Sequence, residues 1–208
     1  MWQFLRPDLA HIFRLQKQVQ GLCATDSPQV DKLSDLLDEL DHSSRLAALR
    51  SLSARHLRHI YEAVEGHRSI GVDFLVPSSR GAMDPVRHFG KNSLPAFSIF
   101  EKRFLRPEKG ARELWGYNHQ SMSPITGPGY FVAYDSPRQG EGYIDYTRLP
   151  PRAPEFWPAM ASNTTGLSRF VYGHMVDRLR GLSQHVSIGR AWRHGKEQNA
   201  WFVLCRDS

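Results

Sequence analysis

Apolar residues in the first third of the chain recur with the spacing of an α-helix. Val30, Leu33 and Leu37 are three and four residues apart, and the acidic residues Asp31 and Asp35 lie between them. This spacing places the apolar side chains on one face of a helix and the charged ones on the other. Similar stripes precede and follow this stretch, so we predict that residues 1–66 are mostly helical.

From residue 97 onward the apolar positions recur at a spacing close to two, which is typical of β-strands. The predicted strands cover residues 97–105, 112–119, 130–135, 143–148, 169–179, 184–193 and 200–206. Turn-forming residues lie between them, as in an antiparallel sheet. We therefore expect an α+β fold in which N-terminal helices (1–66) pack on a C-terminal antiparallel, curled or barrel-like sheet (97–207).

Residues 67–96 join these two parts and are interrupted repeatedly by proline and glycine. We predict that this stretch is a connector with room for one short element. A length of 208 residues and an apolar content of 40% are ordinary for one globular domain. The expectation is therefore a single domain over 1–208, with its β part over 97–208.

Cysteine content and apolar runs bear on the location of the protein. Two cysteines, Cys23 and Cys205, are too few for a disulfide scaffold or for a zinc site built from cysteines. No apolar run reaches the roughly 18 residues needed to span a bilayer, and the first residues lack the pattern of a signal peptide. We expect a protein of the reducing cytoplasm with no membrane partner.

The net charge of +6 is unevenly distributed. Residues 1–66 carry 8 Lys/Arg and 9 Asp/Glu, whereas residues 67–208 carry 19 and 12, which gives the second part a net charge of +7. Most aromatic residues also lie in the second part, and a basic, aromatic-rich sheet is typical of proteins that bind single-stranded nucleic acid. Binding of single-stranded nucleic acid is therefore one alternative function. Docking of a partner protein on the amphipathic helices is another.

The last three predicted strands bear most directly on function. If tight turns join them, His174 pairs with Gly189 and Trp192 pairs with Trp201. One face of this sheet is then apolar except for Asp177 and Arg190, which could pair or lie where the sheet frays, whereas the opposite face mixes large apolar, small and polar residues. Such a mixed face is typical of a lined cavity, although the N-terminal helices could cover it instead.

We therefore predict a small-molecule site in the β part, in a binding protein or an enzyme. Its predicted ligand-binding residues are Tyr172, Arg178, His185 and Ser187, with Trp115, Tyr117 and His119 from a neighbouring strand. Arginine and histidine favour an anionic ligand, and nearby phenylalanines favour one with an apolar body. If a reaction takes place, His174 is the predicted general acid or base, since histidine readily exchanges protons near neutral pH. No pattern identifies a cofactor, and no metal site is predicted.

Overall fold

Four helices form the described N-terminal part of the protein. The structure is a computed structural model that describes residues 9–24, 27–119, 127–138 and 140–207. The helices are α1 (Leu9–Cys23), α2 (Val30–Glu39), α3 (His42–Arg50) and α4 (Ala54–Ala63). They agree with the predicted helical part, of which residues 1–8 and 25–26 lie outside the described ranges. No helix within those ranges is long and apolar enough to cross a lipid bilayer.

Side-chain caps begin two of these helices. The Asp41 carboxylate accepts hydrogen bonds from the backbone N–H groups of Ser43 (2.9 Å) and Ser44 (3.1 Å) at the start of α3. The Ser53 hydroxyl accepts a hydrogen bond from the N–H group of His56 (3.3 Å) at the start of α4. Because these donors have no partner inside their helix, the caps determine where each helix begins.

Eight antiparallel strands form a closed barrel. They are β1 (Val86–Asn92), β2 (Ile99–Leu105), β3 (Glu113–His119), β4 (Tyr130–Asp135), β5 (Gly142–Asp145), β6 (Met175–Gly181), β7 (Val186–Arg193) and β8 (Lys196–Arg206). Two short helices, α5 (Val72–Leu75) and α6 (Ser168–Val171), precede β1 and β6. Each strand pairs with the next along the chain, and β8 pairs with β1. The predicted packing of helices on an antiparallel, barrel-like sheet is confirmed.

The helices cover the outer surface of the barrel along β7, β8 and β1. Outward-facing residues of the sheet, including Val186, Ile188 and Val203, share one buried cluster with Leu57 and Ile60 of α4. Complete burial of one such side chain stabilises a fold by about 1.5–3 kcal/mol. The buried parts of the apolar stripes therefore have their partner within the chain, whereas Leu9 and Phe13 of α1 are exposed.

The short helix α5 closes one end of the barrel. It is buried together with interior side chains from the nearby strand ends, including Phe104 and Leu204. The ring Nε2 of His88, on the inner face of β1, lies 2.9 Å from the carbonyl oxygen of Leu75. This contact joins α5 to the barrel wall.

The predicted connector contains more regular structure than expected. Residues 67–96 include α5 and the whole of β1. The inward positions of β1 are Val86, His88 and Gly90, which are all buried. Because histidine and glycine occupy two of these positions, the alternation of apolar and polar residues that marks a strand is weak here.

The register of β6 differs from the predicted one. Leu179 pairs with Gly189 and Asp177 pairs with Ala191, so the predicted pairing of His174 with Gly189 is wrong. The helix α6 occupies the first part of the predicted strand, and the turn after β6 is wider than a two-residue loop. Because the shift is an odd number of residues, the interior and exterior faces of β6 are exchanged.

The register between β7 and β8 differs from the prediction by two residues, which leaves their faces as predicted. Arg190 pairs with Trp201, and a bulge after Arg190 places Trp192 opposite Glu197. The predicted pairing of Trp192 with Trp201 is therefore wrong, although Trp201 is buried. Side chains alternate with a period of two, so an even shift changes partners without exchanging faces.

Candidate functional site

A cavity of about 340 Å³ opens into the barrel at the end opposite α5. Its wall is mostly apolar and includes Phe100, Val171, Met175, Ala191, Trp201 and Phe202. Leu94 and Phe97 lie at the mouth, and each is more than half exposed. Pockets that bind small molecules commonly have volumes of about 300–1,000 Å³, so the size fits a small ligand.

Glycines inside the barrel make room for interior aromatic rings, of which Phe100 lines the cavity. A Cβ atom on Gly90 would lie 2.5 Å from the Phe100 ring, and one on Gly116 would lie 2.2 Å from the Phe131 ring. Each ring therefore lies directly against the backbone of a neighbouring strand. A larger residue at either glycine would displace the ring from this position.

Four polar side chains meet at the inner end of the cavity. Lys102 Nζ donates hydrogen bonds to Asn118 Oδ1 (2.9 Å), to Asp177 Oδ2 (3.2 Å) and to the Tyr146 hydroxyl oxygen. The Tyr146 hydroxyl also lies 3.3 Å from Asp177 Oδ2. Lys102 is 3% exposed and Asp177 is 2% exposed, so this ion pair is removed from bulk water. We call these four residues the Lys102 cluster.

Aromatic rings surround the ammonium group of Lys102. Its Nζ lies 5.0–5.4 Å from the ring centroids of Phe100, Phe131, Tyr146 and Phe202. A cation within about 6 Å of an aromatic face is attracted by the ring quadrupole. The rings and the neighbouring carboxylate together offset part of the cost of burying the ammonium group.

Burial shifts the proton equilibria within the Lys102 cluster. It lowers the pKa of Lys102, although the Asp177 carboxylate opposes this shift. It raises the pKa of Asp177 against the opposing effect of Lys102. It also raises the pKa of Tyr146 well above its usual value, so this hydroxyl stays protonated at neutral pH. For the ion pair, both shifts favour transfer of a proton from the nitrogen to the carboxylate.

The Lys102 cluster leaves one hydrogen-bond acceptor open to a ligand. All three N–H groups of Lys102 are engaged, and the hydrogen bonds to Asp177 go to its Oδ2 atom. Within the described part of the chain, the other carboxylate oxygen, Oδ1, has no hydrogen-bond partner, and Asp177 lines the cavity. A ligand hydroxyl or N–H group could therefore donate to Oδ1 without breaking the ion pair.

Two of the predicted ligand-binding residues, Tyr172 and Ser187, are buried inside the barrel. Tyr172 lines the cavity, and its ring stacks on that of Tyr146 with centroids 5.3 Å apart. Ser187 pairs with Leu204, nearer to the end that α5 closes. Tyr172 is thus placed to contact a ligand, whereas Ser187 lies deeper than the cavity.

The predicted general acid or base, His174, lies outside the cavity. It occupies the turn between α6 and β6, is exposed, and has a left-handed backbone with a φ of +55°. Its ring stacks on that of His194 with centroids 4.4 Å apart. This placement follows from the start of β6 at Met175, one residue after His174. The expected cavity position is therefore wrong, and a catalytic role for His174 stays a prediction.

Arg178 and His185 also lie away from the cavity. Arg178 is on the outer face of β6, where its guanidinium carbon lies 3.4 Å from the Trp192 ring centroid. His185 lies in the turn after β6, where burial and the charges of Arg45 and Arg206 lower its pKa. The exchange of faces in β6 accounts for the position of Arg178. Neither of these two residues, which favoured an anionic ligand together with the other predicted histidines, reaches the cavity.

Trp115, Tyr117 and His119 are on the outer face of β3. The inward positions of this strand are the residues between them, including Asn118 of the Lys102 cluster. Tyr117 packs outside the barrel against Trp157, with ring centroids 4.9 Å apart, and His119 is exposed. Ligand binding by these three residues stays a prediction that gains no support from the position of the cavity.

Sequence reasoning did not find the Lys102 cluster, although two signals were present. Lys102 lies between Phe100 and Phe104 at a spacing of two, so a lysine interrupts the apolar face of a strand. Asp177 interrupts the apolar face of β6 in the same way. Lysine and aspartate are almost never fully buried unless they are paired, so an inward position for each indicates a buried ion pair.

Comparison with known proteins adds no candidate function. No protein-family model, curated protein or solved structure matches the chain. The chemistry of the cavity and of the Lys102 cluster is therefore the basis for assigning a function.

Proposed function

We propose that the protein binds one small, largely apolar molecule in the barrel cavity, with a neutral polar group directed at the Lys102 cluster. The observation that carries this proposal is an apolar cavity that ends on a buried ion pair. Buried ion pairs usually stabilise a fold no better than apolar residues of similar volume. Recognition of a ligand therefore explains a buried ion pair at the end of a cavity better than stability does.

The cavity wall and the Lys102 cluster have different roles in this proposal. Burial of apolar ligand surface against Phe100, Met175 and Phe202 supplies most of the affinity, at about 25 cal/mol per Å² removed from water. The cluster orients the ligand, because a polar group that enters the barrel must find a hydrogen-bond partner there. This division between apolar walls and a few polar groups is typical of small-molecule sites.

The charge balance of the cluster favours a neutral polar group over an anion. Lys102 and Asp177 form an ion pair at 3.2 Å, so the cluster offers no uncompensated positive charge. An anionic ligand would be repelled by the open Oδ1 atom of Asp177, whereas a neutral hydroxyl group can donate a hydrogen bond to it. The expected preference for an anion depended on Arg178 and on the predicted histidines, none of which lines the cavity. The proposal therefore keeps the apolar body of the ligand and replaces the anionic group.

The two alternative functions have weaker support. A sheet that binds single-stranded nucleic acid needs exposed aromatic rings on which bases can stack. Several large aromatic residues of this barrel are instead buried, including Phe104, Tyr117, Tyr130 and Phe131. Docking of a partner on the helices also loses support, because most of their apolar residues are buried in one cluster with the barrel, although Leu9 and Phe13 of α1 are exposed. A cytoplasmic location stays a prediction from the cysteine content.

A substitution that fills the cavity tests the proposal. Ala191 is buried and lines the cavity, so Ala191→Trp should occupy the space that a ligand needs. Ala63→Trp, at the exposed C-terminal end of α4, is the matched control. The measurement is the dissociation constant of cinnamyl alcohol, 1-naphthol and geraniol by calorimetry. At least one probe should bind the wild type and Ala63→Trp, and its affinity for Ala191→Trp should be at least about tenfold lower.

Two results would contradict the proposal: equal affinity of the wild type and a folded Ala191→Trp variant, or no binding of any probe at millimolar concentration.

The salt dependence of binding affinity tests the nucleic-acid alternative. Affinity for a single-stranded oligonucleotide falls steeply with added salt through counterion release, whereas affinity for a neutral probe should change little.

A further inference from the structure

The amine of Lys102 lies where a ligand that enters the cavity would end. Lys102 lines the cavity and belongs to the buried interior of the barrel. We propose that Lys102 Nζ forms an imine with the carbonyl carbon of a small apolar aldehyde bound in the cavity. This inference rests on the proposed function and deepens it, because it names the class of ligand and the atom that the ligand meets.

Asp177 is placed to make the amine of Lys102 nucleophilic. An ammonium group has no lone pair, so Lys102 must lose a proton before it attacks a carbonyl carbon. Asp177 Oδ2 lies 3.2 Å from Nζ and can accept that proton directly. The lowered pKa of Lys102 and the raised pKa of Asp177 favour this transfer, since burial disfavours both charged forms.

Lys102 and Asp177 supply and accept all the protons that imine formation needs. Lys102 transfers one proton to Asp177, and the nitrogen lone pair forms a C–N bond as the carbonyl π electrons move to oxygen. A second proton passes from nitrogen to that oxygen, which gives a neutral carbinolamine. Asp177 then returns the first proton to the hydroxyl group, which leaves as water while the nitrogen lone pair forms the C=N bond. The product is a protonated imine beside the Asp177 carboxylate.

The surroundings that hold the ammonium group also suit the protonated imine. The positive charge stays on Nζ, next to the carboxylate and to the four ring centroids at 5.0–5.4 Å. Before the attack, Asn118 and Tyr146 act as positioning residues, because their hydrogen bonds hold the ammonium Nζ at the inner end of the cavity. A site this far from bulk water also limits hydrolysis of the imine.

Reductive trapping tests the inference. The full chain is incubated with cinnamaldehyde near pH 7, sodium cyanoborohydride is added, and the alkylated lysine is located by peptide mass spectrometry. At this pH the amine of a lysine in water is almost entirely protonated and therefore unreactive. Labelling of Lys102 should therefore exceed that of the exposed Lys32 and Lys109 by at least about tenfold.

Three variants make the test specific. Lys102→Arg keeps the positive charge but removes the primary amine, so the trapped adduct should disappear. Lys109→Arg, at an exposed position, is the matched control and should leave labelling of Lys102 unchanged. Ala191→Trp keeps the whole Lys102 cluster but fills the cavity, so it should also lose the adduct. This last variant keeps the test decisive if Lys102→Arg does not fold.

Cinnamyl alcohol separates failure of the inference from failure of the proposed function. It has the same apolar body as cinnamaldehyde but no carbonyl carbon, so it should compete with the aldehyde and reduce labelling of Lys102. If the alcohol binds but Lys102 is not labelled above the exposed lysines, the imine is overturned and the proposed function stands. If neither compound binds, both fall.

Discussion

Gly189 of β7 and Phe202 of β8 face each other inside the barrel, and a Cβ atom on Gly189 would lie 2.2 Å from the Phe202 ring. The same ring lines the cavity, and its centroid lies 5.2 Å from Lys102 Nζ. The lack of a side chain at Gly189 therefore determines where an aromatic ring stands beside the Lys102 cluster.

We expect Gly189→Ala to lower the free energy of unfolding by about 1–3 kcal/mol, because the added methyl group forces the Phe202 ring out of its position. Urea denaturation measures this change. Gly81→Ala is the matched control, since no heavy atom lies within 4 Å of its added Cβ atom, and its effect should stay within about 0.5 kcal/mol. Adding Phe202→Leu to Gly189→Ala should recover part of the loss. Equal stability of the two alanine variants would contradict the role of Gly189.

The faces of β7 and β8 could be predicted from the sequence because alternation alone decides them. Val186 and Val203 face the helices, and Phe202 faces the interior. An error of an even number of residues in the pairing of β7 with β8 does not change these faces. The faces of β6 could not be predicted, because α6 and a wider turn moved the strand by an odd number of residues. His174 was expected in the cavity for this reason alone.

The Lys102 cluster could not be assembled from the sequence because its members meet only when the barrel closes. Lys102 and Asp177 lie on β2 and β6, which are not neighbours in the sheet. Each residue by itself is a charged interruption of an apolar strand face. Barrel closure brings them within 3.2 Å across the interior, a distance that no pattern along the chain encodes.

Arg180 of β6 joins the barrel to the helices, and its removal should be costly. Its guanidinium donates to Glu141 Oε1 (2.9 Å) and to the carbonyl oxygen of Tyr61 in α4 (2.9 Å). The side chains of Arg180 and Glu141 are each 10% exposed. We expect Arg180→Met to lower the free energy of unfolding by about 3–5 kcal/mol, because the Glu141 carboxylate is left buried without its partner.

A surface ion pair provides the control for Arg180. Arg58 and Glu62 lie 3.0 Å apart on α4, but the Arg58 side chain is 58% exposed. Arg58→Met should therefore cost only about 0–1 kcal/mol in the same urea denaturation measurement. Similar losses for Arg58→Met and Arg180→Met would show that burial does not set the strength of the Arg180 contact.

His88 should make the barrel sensitive to acid. Complete burial lowers its pKa from 6.5 to about 3, although the hydrogen bond with the Leu75 carbonyl opposes this shift. Between these values the unfolded chain binds the proton more tightly than the folded protein. The stability that depends on neutral His88 is therefore fully present above pH 6.5 and is lost as the pH falls toward 3, by about 1.4 kcal/mol per pH unit.

The pH dependence of stability in two histidine variants separates the effect of His88 from that of the acidic side chains. His88→Gln cannot titrate in this range, so its free energy of unfolding should fall less steeply with decreasing pH than that of the wild type. His11→Gln replaces an exposed histidine and should keep the wild-type slope. Urea denaturation at several pH values between 6.5 and 4 gives the slopes, and identical slopes for all three proteins would rule out His88 as the cause.

The two cysteines can test whether the predicted single domain unfolds as one unit. Cys23 of α1 and Cys205 of β8 are free thiols in the buried cluster between the helices and the barrel. Burial raises the pKa of Cys23 to about 12 and also raises that of Cys205. Because the thiolate is the reactive form, neither should react with a disulfide reagent in the native protein at pH 8.

Single-cysteine variants follow the helices and the barrel separately. Cys205→Ala leaves Cys23 as the reporter in α1, and Cys23→Ala leaves Cys205 as the reporter in β8. For each variant we compare two urea concentrations, the midpoint of cysteine labelling and the midpoint of unfolding. If the helices and the barrel unfold together, these two midpoints should coincide in both variants. Labelling of Cys23 well below the urea concentration at which the barrel unfolds would mean that the helices detach from an intact barrel. That result would contradict the single domain, because the apolar cluster between the two parts would then contribute little to the stability of the barrel.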